Sequence, residues 1–344
     1  MTIAVADVGT RFRERVFREA PLTALAVLSI AAAVGGAEWT AAAAPLPWIV
    51  SIGFVGLPHG AADLAASRTV CRGGTLVGVC AIYLAAMAAV AAAFVLAPAA
   101  SIAAFVIVSC WHFGTAHLDA DADGVARAVR PVAAVARGCV VLAMPLALWP
   151  EATAATAIDL AALAVGPDEA ARSLPVAAVR AGGVILAALT LIALAAEALL
   201  SARAAGGSGG GRRTLAEVAA IGALGAAADP LFAVGSYFLL WHGWRQMAPL
   251  AGTLGGPAPE SWAGLVGALR RVHTAALPLL VPAWAAIAAL WWLSSPGLSG
   301  RGLAIVSIGA YLVVTPAHEW LGEALGGGRY GVRPWPAPPR AARC

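Results

Sequence analysis

The chain has 344 residues, of which 61% are apolar and only 12% are charged. Soluble domains carry roughly 25% Asp, Glu, Lys and Arg. This composition therefore excludes a soluble, a disordered or a nucleic-acid-binding protein, despite the formal net charge of +4. Apolar runs of about 20 residues, long enough to cross a bilayer, recur along the sequence. The fold class that follows is all-α, a polytopic bundle of transmembrane helices.

The pattern of apolar runs predicts seven to ten membrane spans. The ten candidate segments, in chain order, are 20–37, 44–63, 75–97, 99–117, 131–149, 175–200, 215–228, 231–247, 272–293 and 302–323. Segment 215–228 is short for a span, which is one reason for the range. Segment 152–166 is predicted as a further short or re-entrant helix. The five cysteines form no CxxC pair, so neither a disulfide framework nor a thiolate metal site is implied.

Arginine supplies every basic residue in the chain, and its distribution predicts the topology. If ten helices alternate across the membrane from a cytoplasmic N-terminus, only Arg172, Arg180 and Arg301 fall outside, and Arg137 falls within a span. The other 18 of the 22 arginines are then cytoplasmic, which is the asymmetry that the positive-inside rule requires. The pattern predicts both termini in the cytoplasm and a multi-pass protein integral to the bacterial inner (plasma) membrane.

The same features divide the chain into three parts. Residues 1–19, with four arginines between positions 11 and 18, are predicted to form a basic cytoplasmic arm that is retained rather than cleaved. Residues 20–323 form the transmembrane helical domain, which is interrupted by a flexible, glycine-rich cytoplasmic linker at 201–214. Residues 324–344 form an Arg- and Pro-rich cytoplasmic tail.

Histidines inside the apolar segments are candidates for a functional site, because ionisable side chains in a membrane are costly. Four of the six histidines lie near the C-terminal ends of segments that run from outside to inside in this topology. They are His59, His112, His242 and His318. We expect the four rings to reach a similar depth and to bind a metal ion, since neutral imidazole is the usual nitrogen ligand for Fe, Zn and Cu. The alternative for each ring alone is a hydrogen bond to a neighbouring helix.

Residues beside these histidines predict close packing and supporting contacts. Three glycines are expected to let helices approach closely. They are Gly60, Gly114 and Gly243. Asp63, one turn after His59, could accept a hydrogen bond from an imidazole on another helix; the alternative is a surface carboxylate. Glu319 follows His318, but position 322 is glycine, so the HExxH motif of zinc proteases is absent.

Four short motifs contain the four histidines. They are Pro58-His59-Gly60-Ala61 with Asp63, Trp111-His112-Phe113-Gly114, Trp241-His242 with Arg245, and Thr315-Pro316 with His318. In this order, and over most of the chain, they resemble the motifs of the Brp/Blh-type β-carotene 15,15'-dioxygenase family. The resemblance implies a polytopic membrane enzyme that cleaves the central double bond of β-carotene with O₂ at an Fe(II) ion held by histidines. It also implies two molecules of all-trans-retinal as product and a functional link to a microbial rhodopsin.

Motif by motif, the resemblance implies that His59, His112 and His242 correspond to iron ligands of the family, and His318 to the histidine of its last motif. The family's third motif usually reads His-x-x-Arg-His, whereas this chain has Gln246 at the last position, its only glutamine. An amide is a poorer Fe(II) ligand than an imidazole. Three outcomes stay open: His318 completes the site, Gln246 coordinates weakly or through water, or the activity is lost or changed. The departure suggests a divergent member of the family.

The implied substrate has no polar group, so its position must come from a long apolar tunnel between helices. Four small residues are expected to make room for the polyene. They are Ala61, Ala62, Ala116 and Gly243. His117 lies on a different helix face from His112 and is expected to be a residue of the cytoplasmic end rather than a ligand.

Two other functions stay open at this point. Gln246 favours a catalytically altered homologue that binds carotenoid or retinal without cleaving it. A proton-coupled permease, in which the histidines and Asp63 relay protons, would be expected to show inverted repeats and paired broken helices. The sequence shows one clear break, at Asp229-Pro230, and no repeat.

Overall fold

The computed structural model describes residues 9–70, 74–120, 129–203, 210–294 and 298–326. Among these residues there are twelve helices and no strand, which confirms the predicted all-α class. The helices are α1 (Gly9–Gly35), α2 (Ala37–Thr69), α3 (Gly74–Leu96), α4 (Pro98–Ala120), α5 (Arg130–Leu148), α6 (Pro150–Val165), α7 (Pro167–Ser173), α8 (Val176–Arg203), α9 (Gly210–Ala227), α10 (230–253), α11 (Trp262–Ser294) and α12 (Gly300–Gly326).

Eight helices of the described chain are long and apolar enough to cross a membrane: α1 to α5, α8, α11 and α12. This number lies within the predicted seven to ten and confirms a multi-pass architecture. The other two predicted spans, 215–228 and 231–247, lie in helices that are long enough but not apolar enough to be among these eight. They lie in α9 and α10, which carry polar side chains such as Glu217 and Arg245. Segment 152–166 forms the short helix α6, as predicted.

The predicted domain boundaries differ from the helix ends. Helix α1 begins at Gly9 and continues past residue 19, so the described part of the basic arm is joined to the first span without a break. Helix α9 begins at Gly210, so the end of the predicted linker 201–214 is helical, and residues 204–209 lie outside the described residues. Helix α12 extends to Gly326, and residues 327–344 of the predicted tail lie outside them as well.

Helices α4 and α5 approach each other closely at two glycines. A Cβ atom on Gly114 would lie 1.9 Å from the backbone oxygen of Ala134, and one on Gly138 would lie 1.7 Å from that of Cys110. No side chain fits at either position, so the structure confirms the expectation for Gly114. This contact fixes α4, which carries His112, against α5.

An ion pair within the membrane domain joins α5 to α8. The two terminal nitrogens of Arg137 bond to the carboxylate of Glu197 at 2.8 and 2.9 Å, and Nη2 also donates to Thr214 Oγ1 of α9 at 2.7 Å. Arg137 is the arginine that the predicted topology left within a span. A bidentate pair with a carboxylate explains how the membrane domain accommodates its charge.

We expect Glu197→Ala to lower the free energy of unfolding by about 3–5 kcal/mol, because it leaves a buried guanidinium without its counter-charge. Thermal unfolding of the purified protein in detergent measures the change. The matched control is Glu151→Ala, which removes an exposed carboxylate 3.0 Å from Arg180 and should cost less than about 1 kcal/mol. Equal losses from the two substitutions would show that the Arg137–Glu197 pair has no special role.

Candidate metal centre

The structure brings the rings of His59, His112, His242 and His318 together in one buried group, called here the histidine cluster. The ring centroids of His112 and His242 are 4.7 Å apart, and three other pairs in the cluster are 5.3 or 5.4 Å apart. One ring nitrogen from each of His59, His112 and His242 lies within 4.8 Å of the other two. The expected convergence is therefore present, while the role of the four residues as metal ligands stays a prediction.

Helix α2 is interrupted just before it carries His59 into the cluster. Val55 has non-helical dihedral angles (φ −138°, ψ −52°), and the short helix Gly56–Ala61 follows it. A Cβ atom on Gly56 would lie 2.4 Å from the ring of Phe238 on α10, so glycine permits the close approach of the two helices. His59 Nδ1 lies 3.2 Å from the carbonyl oxygen of Val55, which ties the imidazole to the interruption.

The start of α10 is fixed by the Asp229-Pro230 pair that the sequence marked as a break. Asp229 Oδ1 accepts hydrogen bonds from the backbone nitrogens of Leu231 and Phe232 at 2.9 and 3.3 Å. Pro230 occupies the first helical position, where its missing N–H costs nothing. This is a standard N-cap, so the Asp229 carboxylate has a structural role.

Helix α10 contains a π-helical turn, Phe238–Gly243, which holds His242. Such turns are wider than an α-helix and occur often at functional sites. The ring of His242 stacks on that of Phe238, with centroids 5.2 Å apart and an angle of 16° between the planes. A Cβ atom on Gly243 would lie 3.1 Å from the carbonyl oxygen of Phe238. The turn therefore sets the direction in which His242 enters the cluster.

Two buried carboxylates contact the cluster. Asp63 Oδ2 lies 2.7 Å from His318 Nδ1, and Glu319 Oε2 lies 2.8 Å from His112 Nδ1. The first contact agrees with the expectation that Asp63 faces an imidazole of another helix, and its burial removes the alternative of a surface carboxylate. The second contact was not predicted, because Glu319 was considered only within the absent HExxH motif.

The same carboxylates have hydroxyl partners on neighbouring helices. Tyr83 of α3 donates to Asp63 Oδ2 at 3.2 Å, and Thr115 of α4 donates to Glu319 Oε1 at 3.4 Å. Neither hydroxyl had been singled out from the sequence. Asp63 therefore links His318 to α3, and Glu319 contacts two residues of α4. A carboxylate beside an imidazole is the arrangement that orients metal-binding histidines in proteins.

The hydrogen-bond partners determine which ring nitrogens carry hydrogen. A carbonyl or an ionised carboxylate oxygen only accepts, and three histidines have Nδ1 beside such an oxygen. They are His59, His112 and His318. Each neutral ring then keeps its lone pair on Nε2. His112 Nε2 lies 3.1 Å from His242 Nε2, a distance at which His242 can donate a hydrogen bond to His112 or both nitrogens can bind one cation.

A cavity of about 970 Å³ adjoins the cluster, at the upper end of the range of about 300–1,000 Å³ that is typical of ligand pockets. His59, His112 and His318 line it, and most of the other lining side chains are apolar. On α12 the lining extends from Ile308 to Leu321, which is about 20 Å at 1.5 Å per residue. The cavity is therefore long and apolar, as expected for the predicted tunnel.

The small residues near the cavity have different surroundings. Ala61 and Gly60 line it, and a Cβ atom on Gly60 would meet no atom within 4 Å. The expectation that Gly60 permits close helix packing was therefore wrong, because this residue faces open space. Ala62, Ala116 and Gly243 do not line the cavity among the described residues, so the expectation that they clear room for a polyene was wrong as well.

Gln246 lies one turn after His242 and makes a contact between helices. Its amide nitrogen donates to the backbone oxygen of Ala116 on α4 at 2.9 Å. The side chain is buried and borders a much smaller space that His117, Trp241 and His242 also line. Among the described residues that line the large cavity, Gln246 does not appear.

His117 belongs to a second buried polar group behind the cluster. Its Nε2 lies 2.8 Å from Glu217 Oε2 of α9, and Trp241 Nε1 donates to its Nδ1 at 3.2 Å. Glu217 also accepts a hydrogen bond from Arg18 of α1 at 2.7 Å. The sequence-based expectation of a residue at the cytoplasmic end missed these contacts, because Glu217 is 100 residues away along the chain.

The fold and the site define a polytopic helical membrane protein in which buried histidines adjoin a long apolar cavity. The family model for β-carotene 15,15'-dioxygenase matches residues 50–326, a range that includes all four histidines of the cluster. The chain belongs to the β-carotene 15,15'-dioxygenase family, as its four motifs suggested. It is 31% identical over 306 residues to the probable β-carotene 15,15'-dioxygenase Blh of Halobacterium salinarum, and the alignment covers 84% of this chain and 87% of that protein. No solved structure matches the chain.

Proposed function

We propose that this protein cleaves the central 15,15' double bond of β-carotene with O₂, in an Fe(II)-dependent reaction that gives two molecules of all-trans-retinal. Each carbon of the broken double bond receives one oxygen atom of O₂, so the overall reaction needs no other oxidant. The observation that carries the proposal is the cluster of four imidazoles beside a long apolar cavity, in a chain that belongs to this family.

The donor set of the cluster fits a divalent metal ion. Nitrogens bound to one ion at about 2 Å are separated by about 3–4 Å, and the ring nitrogens of His59, His112 and His242 already lie within 4.8 Å of one another. The Nδ1 contact of His318 leaves its Nε2 available in the same way. We assign these four imidazoles as the ligands, and Asp63 as the carboxylate that orients His318.

The charges near the cluster also suit a dication. A doubly charged ion within a membrane requires nearby negative charge, and neutral imidazoles supply none. Asp63 and Glu319 each lie one hydrogen bond away from a ring of the cluster. Two ionised carboxylates would balance Fe(II) bound by four neutral imidazoles, and the loaded site would be close to neutral.

When bound, Fe(II) with histidine ligands supplies open positions and the electrons that activate O₂. The protein contributes the position of the polyene. Because β-carotene has no polar group, the shape of the cavity must place one double bond beside His59, His112 and His318, which line it. The apolar walls also exclude water from this region.

The substrate dissolves in the bilayer, and we infer that the cavity opens to it. Leu84 and Ile107 line the cavity and are 63% and 68% exposed. This supports entry of the substrate from within the membrane. We assign the protein to the bacterial inner membrane, with both termini in the cytoplasm, and propose that its retinal supplies a microbial rhodopsin.

Expression in a bacterial host that accumulates β-carotene tests this function. We expect loss of the orange colour and retinal in the organic extract, measured by chromatography against a host with an empty vector. Persistent colour, with carotenoid bound to the purified protein, would contradict cleavage and support the altered, binding-only homologue that Gln246 suggests. Persistent colour without bound pigment would contradict both functions.

A further inference from the structure

We propose that Glu319 is a positioning residue that fixes the ring of His112 for metal binding through Nε2. This inference rests on the proposed metal centre and deepens it, since neither the motifs nor the family match assigns Glu319 a role. The carboxylate of Glu319 accepts a hydrogen bond from the ring of His112. Because Glu319 lies on α12 and His112 on α4, this contact couples the two helices.

Glu319 contacts α4 at two points, one helical turn apart. Its Oε2 lies 2.8 Å from His112 Nδ1, and its Oε1 lies 3.4 Å from the hydroxyl of Thr115, which also lies 3.0 and 3.1 Å from the carbonyl oxygens of Trp111 and His112. Residues three apart lie on the same face of a helix. The carboxylate therefore has one oxygen on each partner, which restricts its own rotation as well as that of the imidazole.

The contact sets the tautomer of His112. With Nδ1–H donated to the carboxylate, the lone pair remains on Nε2, and it is Nε2 that lies 3.1 Å from the ring of His242. Without the carboxylate, the proton could move to Nε2, and a protonated nitrogen cannot bind a metal. A carboxylate partner also raises the basicity of an imidazole ligand. Loss of Glu319 should therefore weaken metal binding without removing a ligand.

Glu319 follows His318 directly on α12, so the same helical turn contacts both the histidine cluster and α4. Consecutive residues on an α-helix project about 100° apart. His318 joins the cluster through its ring, while Glu319 faces α4. The same turn therefore supplies one proposed ligand and aligns another.

A second carboxylate–histidine pair provides a matched control on the same helix. Glu217 Oε2 lies 2.8 Å from His117 Nε2, the same distance as in the Glu319–His112 pair. Both carboxylates are buried, and His117 follows His112 by five residues on α4. Because His117 is outside the histidine cluster, substitution of Glu217 tests the general effect of losing a buried carboxylate.

The experiment is a metal titration of the full chain, purified in detergent and stripped of metal. Fe(II) is added without oxygen, and Co(II) is used in parallel because its visible absorption reports the geometry of its ligands. Relative to wild type, we expect Glu319→Ala to raise the Kd by about 10–100-fold. Glu319→Gln should give a smaller rise, since its amide oxygen can still accept from Nδ1–H. Glu217→Gln should leave the Kd within about twofold.

An unchanged Kd and Co(II) spectrum for Glu319→Ala would overturn the inference. An equal rise for Glu217→Gln would also overturn it, because the effect would then follow from any buried carboxylate. Circular dichroism in the helical region verifies that each variant is folded. If Glu319→Ala unfolds, the isosteric Glu319→Gln variant still allows the metal titration to test the inference. Failure of the wild-type chain itself to bind either metal would contradict the proposed function, and the inference with it.

Discussion

Replacement of His59 by alanine is expected to abolish both metal binding and retinal formation. The substitution removes one of three ring nitrogens that lie within 4.8 Å of one another, and two nitrogens from that group cannot hold the ion in the same geometry. We expect retinal formation to fall by more than about 100-fold, which corresponds to about 2.7 kcal/mol. Elemental analysis of the purified protein measures bound iron, and chromatography of cell extracts measures retinal.

His273→Ala is the matched control for His59→Ala. His273 lies on α11 outside the cluster, and its Nδ1 donates to the carbonyl oxygen of Leu269 at 2.7 Å. It should retain iron and retinal formation. His242→Ala should behave like His59→Ala. Full retinal production by either cluster variant would refute the assignment of that histidine as a ligand.

The second large effect concerns the identity of the fourth ligand. We expect His318→Ala to lower iron content and retinal formation by about 100-fold or more, because the ring of His318 lies 5.4 Å from those of both His59 and His112. Gln246→Met should keep retinal formation within about threefold. The Gln246 amide donates to the Ala116 carbonyl and is not assigned as a metal ligand, and methionine retains the volume of the side chain. The same measurements of iron content and retinal formation on both variants decide whether His318 or Gln246 is the fourth ligand.

Gln246→His is the companion to this pair. The proposed site already has four imidazoles, so an added ring one turn after His242 should bring no gain in retinal formation. A clear gain would show that this chain lacks a ligand and would contradict the role assigned to His318. A large loss in Gln246→Met, with normal activity in His318→Ala, would reverse the assignment.

The transmembrane helices and the meeting of the four histidines could be predicted from sequence because both follow from local patterns. Apolar runs define helices of known rise, and the alternation of those helices across a membrane predicts a similar depth for His59, His112 and His318. His242 lies on α10, which is not among the eight spanning helices, so its place in the cluster follows from its motif alone. The family motifs identified the same histidines independently. The two predicted spans that are not apolar enough to cross the membrane, 215–228 and 231–247, are those whose polar residues make contacts inside the protein, as Glu217 and Arg245 do.

The supporting residues of the site could not be predicted because they depend on how helices are rotated about their axes. Glu319 and His112 are separated by 207 residues. No residue near Glu319 in the sequence distinguishes it from a carboxylate that faces solvent. The interruption at Val55 has sequence signals nearby, in Gly56 and Pro58, but neither of them shows which way His59 faces after it. Arg137 had no visible partner in the sequence, since Glu197 lies 60 residues away.

The π-helical turn of α10 makes the site depend on how the backbone winds as well as on side chains. Such a turn holds one more residue than the α-helical winding on either side of it. If the same residues wound as a regular α-helix, the residue that the turn takes up would rotate the following part of the helix by about 100°. His242 would then leave the cluster even though every histidine was still present. The register of this segment is thus as much a determinant of the centre as the imidazoles themselves.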